Sequence, residues 1–189
     1  MPNWCNTTYR VVGEKEEVKK FYDLAMKSWN GVKNDKHPNA GNGWLGTFVD
    51  LLDGPEDAYA RGWITCEPEL SNDGCECTIY CDTAWSEPYQ WREFIQSKLD
   101  VFIYYIAIEP GCGIYLSNDD EYIDKYYVDA TPEQPDCPYM TEDELCEFLT
   151  EHYQAQVTNA DECIDFANSI TDSEGWDEDL FINLIEYSE

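Results

Sequence analysis

The chain has 189 residues, 43% hydrophobic and 15% aromatic, enough for one sizeable core or a core with a helical appendage. Forty acidic against 11 basic side chains give a formal charge of −29. That balance disfavours direct binding to nucleic acid or to an anionic membrane, which need Lys and Arg, and the apolar content excludes wholesale disorder.

In chain order, Trp4–Val12 reads as a strand closed by Gly13. Residues 14–29 then carry a helical stripe of Val18, Phe21, Tyr22, Ala25, Met26 and Trp29. Residues 30–46 are polar and Gly-rich, a loop. Trp63–Glu67 and Cys75–Asp82 read as strands around the turn Ser71-Asn72-Asp73-Gly74. Pro88 opens a helix to about Leu99, with Trp91, Phe94, Ile95 and Leu99 facing inward. Val101–Ile108 is a continuous apolar run, a buried strand, and Ile114–Leu116 and Tyr122–Val128 read as further strands.

Beyond that point the charge changes character. Residues 1–125 hold 22 acidic and 11 basic side chains; residues 126–189 hold 18 acidic ones and no Lys or Arg. With Pro132, Pro135 and Pro138, this predicts a boundary near 130: a domain over 1–130 and an acidic helical region over 131–189. Thr141 and Glu144 form a capping-box pattern before Leu145, Phe148, Leu149 and Tyr153. Further helices are predicted over 159–170 and over 177–187, around Leu180, Phe181, Leu184 and Ile185. The order up to Ile108 is β-α-β-β-α-β, so the predicted fold is α+β. Its core is a ferredoxin-like split βαβ antiparallel sheet with two helices, extended by extra edge strands.

No stretch reaches the ~20 apolar residues of a membrane span. The start carries no basic and apolar segments of a secretory signal, which predicts a cytoplasmic protein with reduced cysteines. Nine cysteines include no Cys-x-x-Cys. Alternation puts Cys75, Cys77 and Cys81 on one strand face beside Ile79, where they read as small core residues rather than metal ligands. His37 lies in the polar loop, and His152 near a helix end reads as an electrostatic cap. The run Asn118-Asp119-Asp120-Glu121 lacks the spacing of an EF-hand and reads as a turn. The expectation is therefore no catalytic, cofactor-binding or metal-ligating residue.

Three segments resemble the YubB-like family, proteins with a ferredoxin-like domain encoded mainly on plasmids and phages. They are Met1-Pro2-Asn3-Trp4-Cys5 with Gly13, Thr83-Ala84-Trp85-Ser86-Glu87-Pro88, and Glu109-Pro110-Gly111. The likeness spans about residues 1–128. Thr7 stands where the family usually has Asn, and the family's central Trp-Gly-Thr motif is matched only loosely by Gly43-Trp44-Leu45-Gly46-Thr47. The resemblance implies a fold and a mobile-element origin, and it brings no catalytic residues.

The acidic region has an energetic cost. Like charges four residues apart on a helix, such as Glu147 with Glu151 and Asp161 with Asp165, destabilise it by ~0.2–0.5 kcal/mol per pair. Duplex DNA carries a charge every ~1.7 Å, and a helix rises ~1.5 Å per residue, so closely spaced acids imitate a line of phosphates. The expected function is a nucleic-acid-mimicking inhibitor that occupies the basic cleft of a host nuclease or defence protein. Its expected binding residues are Tyr139, Glu142, Asp143, Glu147, Glu151, Asp161, Glu162, Asp165, Asp172, Glu174, Trp176, Asp177, Glu178, Asp179 and Tyr187. Two other readings stay open: a generic acidic interaction module, and a carboxylate-dependent hydrolase.

Overall fold

The computed structural model describes residues 3–32, 36–131, 133–171 and 179–188. The chain is a mixed α/β protein whose strands pair mostly antiparallel. It divides into two units, residues 1–114 and 115–189.

In the first unit, strand β1 (Trp4–Gly13) lies between two partners, β4 (Glu76–Ala84) and β5 (Val101–Glu109), both antiparallel to it. The short strands β2 (Gly62–Ile64) and β3 (Glu69–Leu70) pair with the outer edge of β4, giving the order β5-β1-β4-β2. Side chains alternate across this sheet as a period of two demands. Cys5, Thr7, Tyr9 and Val11 are buried on β1, and Cys77, Ile79, Cys81 and Thr83 on β4. The predicted placement of Cys77, Ile79 and Cys81 on one face is what the structure has, with both thiols in the core, whereas Cys75 precedes β4 and is only half-buried. The loop before β4 turns at Gly74, whose φ of 75° suits a residue without a Cβ.

Three helices complete this unit: α1 (Lys15–Trp29), α2 (Gly46–Leu51) and α3 (Tyr89–Lys98). An aromatic column joins them to the strand beneath. Phe21 packs on Phe48 at 5.5 Å, Phe48 on Trp91 at 5.3 Å, and Trp91 on Tyr9 at 5.3 Å. The buried face of α1 is Val18, Phe21, Leu24, Ala25 and Ser28, so Tyr22, Met26 and Trp29 sit half-buried at its margin. Ser28 is the reason for that rotation: its hydroxyl donates to the Trp44 carbonyl at 2.8 Å, and its carbonyl accepts from Gly43 N–H at 2.7 Å. The helix turns its serine inward to hold the following loop. Helix α3 buries Trp91, Phe94, Ile95 and Leu99 as its periodicity predicts, and Arg92 with them.

In the second unit, β7 (Tyr126–Thr131) is flanked antiparallel by β8 (Tyr139–Met140) and β9 (Asp179–Leu184). A parallel pairing joins β6 (Ile114–Ser117) to β10 (Glu186–Tyr187). Helices α4 (Glu142–Tyr153) and α5 (Ala160–Thr171) pack on a core of Val128, Ala130, Leu145, Leu149, Cys163 and Leu180. The predicted capping box is present. Glu144 N–H donates to Thr141 Oγ1 at 3.3 Å, and Thr141 N–H donates to Glu144 Oε2 at 2.8 Å.

Two sequence expectations need correction here. The helix predicted over 177–187 is replaced, within the described residues, by strands β9 and β10. Leu180, Phe181, Leu184 and Ile185 fit a helical spacing, but the burial alternates: Leu180 and Ile182 are buried, while Phe181 is exposed. Pairing with β7 from Asp179↔Thr131 to Leu184↔Tyr126 overrides the local pattern. The acidic region is accordingly two helices on a small sheet rather than a helical tail. Likewise, Tyr122 starts no strand. Tyr122 N–H donates to Asp119 O at 2.9 Å and Lys125 N–H to Tyr122 O at 3.2 Å, so this stretch is a turn, with the left-handed Asp124 (φ 61°) closing it. No helix among the described residues is long and apolar enough to cross a membrane.

Candidate functional site

The acidic helices of the second unit carry seven of the fifteen predicted binding residues. Glu142, Asp143, Glu147 and Glu151 on α4, and Asp161, Glu162 and Asp165 on α5, are all exposed. Asp143, Glu147 and Glu151 stand four residues apart, which stacks three carboxylates along one helical stripe at steps of ~6 Å. Among the described residues, none of Glu142, Asp143, Glu147, Glu151, Asp161 or Asp165 forms an ion pair; the unit's recorded pair is His152 Nδ1 with Glu133 Oε2 at 3.4 Å. His152 therefore leans on a carboxylate outside its helix, rather than on the helix's last carbonyls.

Glu162 belongs to a different category. Its Oε2 accepts Thr158 N–H at 2.7 Å and the Thr158 hydroxyl at 2.9 Å, while its own N–H donates to Asn159 Oδ1 at 3.0 Å. These bonds hold its carboxyl below the usual range, as the same arrangement with Thr141 does for Glu144. Both glutamates secure helix starts. Asp179 opens β9 opposite Thr131, and Asp172, Glu174, Trp176, Asp177 and Glu178 lie outside the described residues.

Of the predicted aromatic anchors, Tyr187 on β10 is 57% exposed. Tyr139 on β8 is half-buried and packs against Tyr122 at 4.9 Å and Tyr127 at 5.9 Å. Tyr139 also lines a groove of about 390 Å³ with Met140, Phe148, Asp136, Glu144 and His152. Periodicity could not reveal this groove, because it is assembled from β8, the loop before it and one side of α4.

A second polar constellation lies in the first unit, and the sequence reading assigned it no role. Three segments, Asn3–Cys5, Thr83–Pro88 and Glu109–Gly111, meet at one end of the sheet. Cys5 faces Thr83 across β1 and β4, Asn6 faces Ile108 across β1 and β5, and Trp85 N–H donates to Asn3 O at 2.9 Å. Thr7 and Thr83 share a buried hydroxyl hydrogen bond of 2.8 Å. Glu87 lies beneath, receiving Arg92 Nε at 3.1 Å and the Tyr9 hydroxyl at 3.2 Å. Burial raises the Glu87 carboxyl above the ordinary glutamate value, despite these donors. Glu109 is 6% exposed: one oxygen accepts Gly111 N–H at 3.2 Å, and the other is buried with no hydrogen-bond partner among the described residues. Beside it, Asn3 Nδ2 donates to Cys112 Sγ at 3.1 Å. Trp85, 54% exposed, adopts a φ of 73°, a conformation that costs a bulky residue strain.

The chemistry available at this sheet end is limited by its carboxylates. A hydrogen bond with Glu109 raises the Cys112 thiol, and burial raises Cys5, with Glu109 and Glu87 adding to the shift. A nucleophilic cysteine needs the opposite environment, one that favours the thiolate. In the loop after α1, His37 Nδ1 lies 3.0 Å from Asp50 Oδ2, while the Tyr59 hydroxyl donates to Asp50 Oδ1. Burial, then that bond, push the Tyr59 hydroxyl up to about 12. Trp44 stacks on Tyr59 at 5.7 Å, and His37 sits edge-on to both rings. This cluster ties the loop after α1 to α2. Among the described residues, no three His, Cys, Asp or Glu side chains gather in a way that could hold a metal ion.

No protein-family model, curated protein or solved structure matches the chain.

Proposed function

We propose that this protein binds a cationic protein surface through the acidic helices of its second unit, as a nucleic-acid mimic that competes for a basic cleft. The observation that carries the reading is the set of exposed carboxylates on α4 and α5 that have no ion-pair partner among the described residues. Within residues 126–189 there is no Lys or Arg to neutralise them. Uncompensated like charges destabilise a helix, so their retention is explained by a counterpart that supplies the positive charge. Coulomb attraction would speed encounter and weaken with salt, and the exposed pairs would contribute little individually.

Two further parts of the proposal rest on the first unit. The strand order β5-β1-β4-β2, with helices after β1 and β4, supports a ferredoxin-like core. The likeness of its three converging segments to the YubB-like family supports a mobile-element origin, and hence a host nuclease or other DNA-handling defence protein as the partner class.

Capture from a bacterial lysate on the immobilised chain tests the reading. Nucleic-acid-binding proteins should be retained at low salt, released as salt rises, and displaced by duplex DNA. Retained proteins that duplex DNA leaves in place would favour a generic interaction module and end the mimicry reading.

A further inference from the structure

The groove between β8 and α4 has a composition that the acidic stripe lacks. Tyr139 supplies a half-buried ring, and Met140 and Phe148, each 8% exposed, form an apolar floor. Asp136 and Glu144 bring carboxylates to the same opening, and both are exposed. The Glu144 Oε2 atom is occupied by its capping bonds to Thr141, but the group keeps its charge there. His152 also lines the opening, with its ring 4.7 Å from the Phe148 ring and its Nδ1 3.4 Å from Glu133 Oε2. Volume is adequate: about 390 Å³ falls in the range of ~300–1,000 Å³ typical of small-ligand pockets.

A flat cation fits this mixture better than a spherical one. Guanidinium is planar, weakly hydrated and able to stack on an aromatic face while its edge donates to carboxylates; an ammonium holds its water more tightly. We propose that the groove is an anchor site for an arginine side chain of the partner protein. The guanidinium lies against Tyr139 and donates toward Asp136 and Glu144, with the methylene stem on Met140 and Phe148. This deepens the acidic-surface reading and rests on it. It adds what distributed charge cannot give, a preference for arginine over lysine at equal net charge.

The test uses the full chain with fluorescent nona-arginine and nona-lysine peptides, binding being followed by anisotropy at low salt. The wild type should bind the arginine peptide several-fold more tightly than the lysine peptide. Tyr139→Ala should remove that preference, and so should Gln134→Trp, which fills the groove from an exposed lining position and leaves the β8 side chains intact. Glu147→Gln with Glu151→Gln should weaken both peptides by a similar factor and preserve their ratio. Equal binding of the two peptides by the wild type, or a ratio unchanged in both groove variants, overturns the arginine site while leaving the acidic surface in place. Failure of both peptides to bind at low salt overturns both readings.

Discussion

Neutralising the outer stripe of α4 should make the protein more stable and a worse binder at once. In the variant Glu147→Gln with Glu151→Gln, two like-charge contacts four residues apart disappear: Asp143 with Glu147, and Glu147 with Glu151. Each costs ~0.2–0.5 kcal/mol. Glu151 also lies in the last turn of a helix ending at Tyr153, where a negative charge opposes the helix dipole by ~0.3–1 kcal/mol. Together these give a gain of about 0.7–2 kcal/mol at low ionic strength. Urea denaturation, followed by circular dichroism at about 0.01 M and about 1 M salt, measures it. The gain should fade at high salt, because the screening length falls from ~30 Å to ~3 Å. A variant that is less stable than the wild type at low salt would mean these carboxylates already have favourable partners, and the reasoning from unpaired charge would fail.

Other outcomes follow from particular contacts. Thr141→Ala removes the side-chain cap of α4 and should cost ~1 kcal/mol in the same assay; no change would show that the cap is not formed. Cys146 Sγ and Cys163 Sγ lie 3.5 Å apart on α4 and α5, so incubation with a small disulfide should couple them, releasing two reduced thiols of reagent. Peptide mapping that links either cysteine elsewhere would contradict the packing of these helices. The buried Glu87 keeps its proton longer folded than unfolded. Its stabilising contribution is complete below the ordinary glutamate range and is lost as pH rises through its raised folded value. Glu87→Gln should therefore lose less stability than the wild type between about pH 4 and pH 7, and a parallel pair of pH profiles would refute that.

Much of the first unit was legible because its signals are local. Alternation placed Cys77, Ile79 and Cys81 on one face, and the spacing of Trp91, Phe94, Ile95 and Leu99 gave the buried side of α3. Where tertiary contacts decide, the sequence misled. Ser28 faces inward only because the loop at Gly43 and Trp44 bonds to it. The segment after residue 178 contains a helical spacing of apolar residues, yet β7 offers it a strand partner. The candidate surface was partly readable: the acids on α4 and α5 are exposed as expected, but Glu162 is committed to a helix start. The convergence of Asn3, Thr83 and Glu109 at one sheet end depends on segments far apart in sequence, and the groove beside Tyr139 depends on how β8 and the loop before it lie against α4. Neither follows from hydrophobic periodicity.

The most direct measurement is a neutralisation series against a captured DNA-binding partner, with inhibition of its DNA binding as the readout. Asp143, Glu147, Glu151, Asp161 and Asp165 would be changed one after another to their amides. A charge surface that imitates phosphates predicts that inhibition weakens by a similar modest factor at each step. Loss of all inhibition on one substitution, or full inhibition after all five, would contradict it.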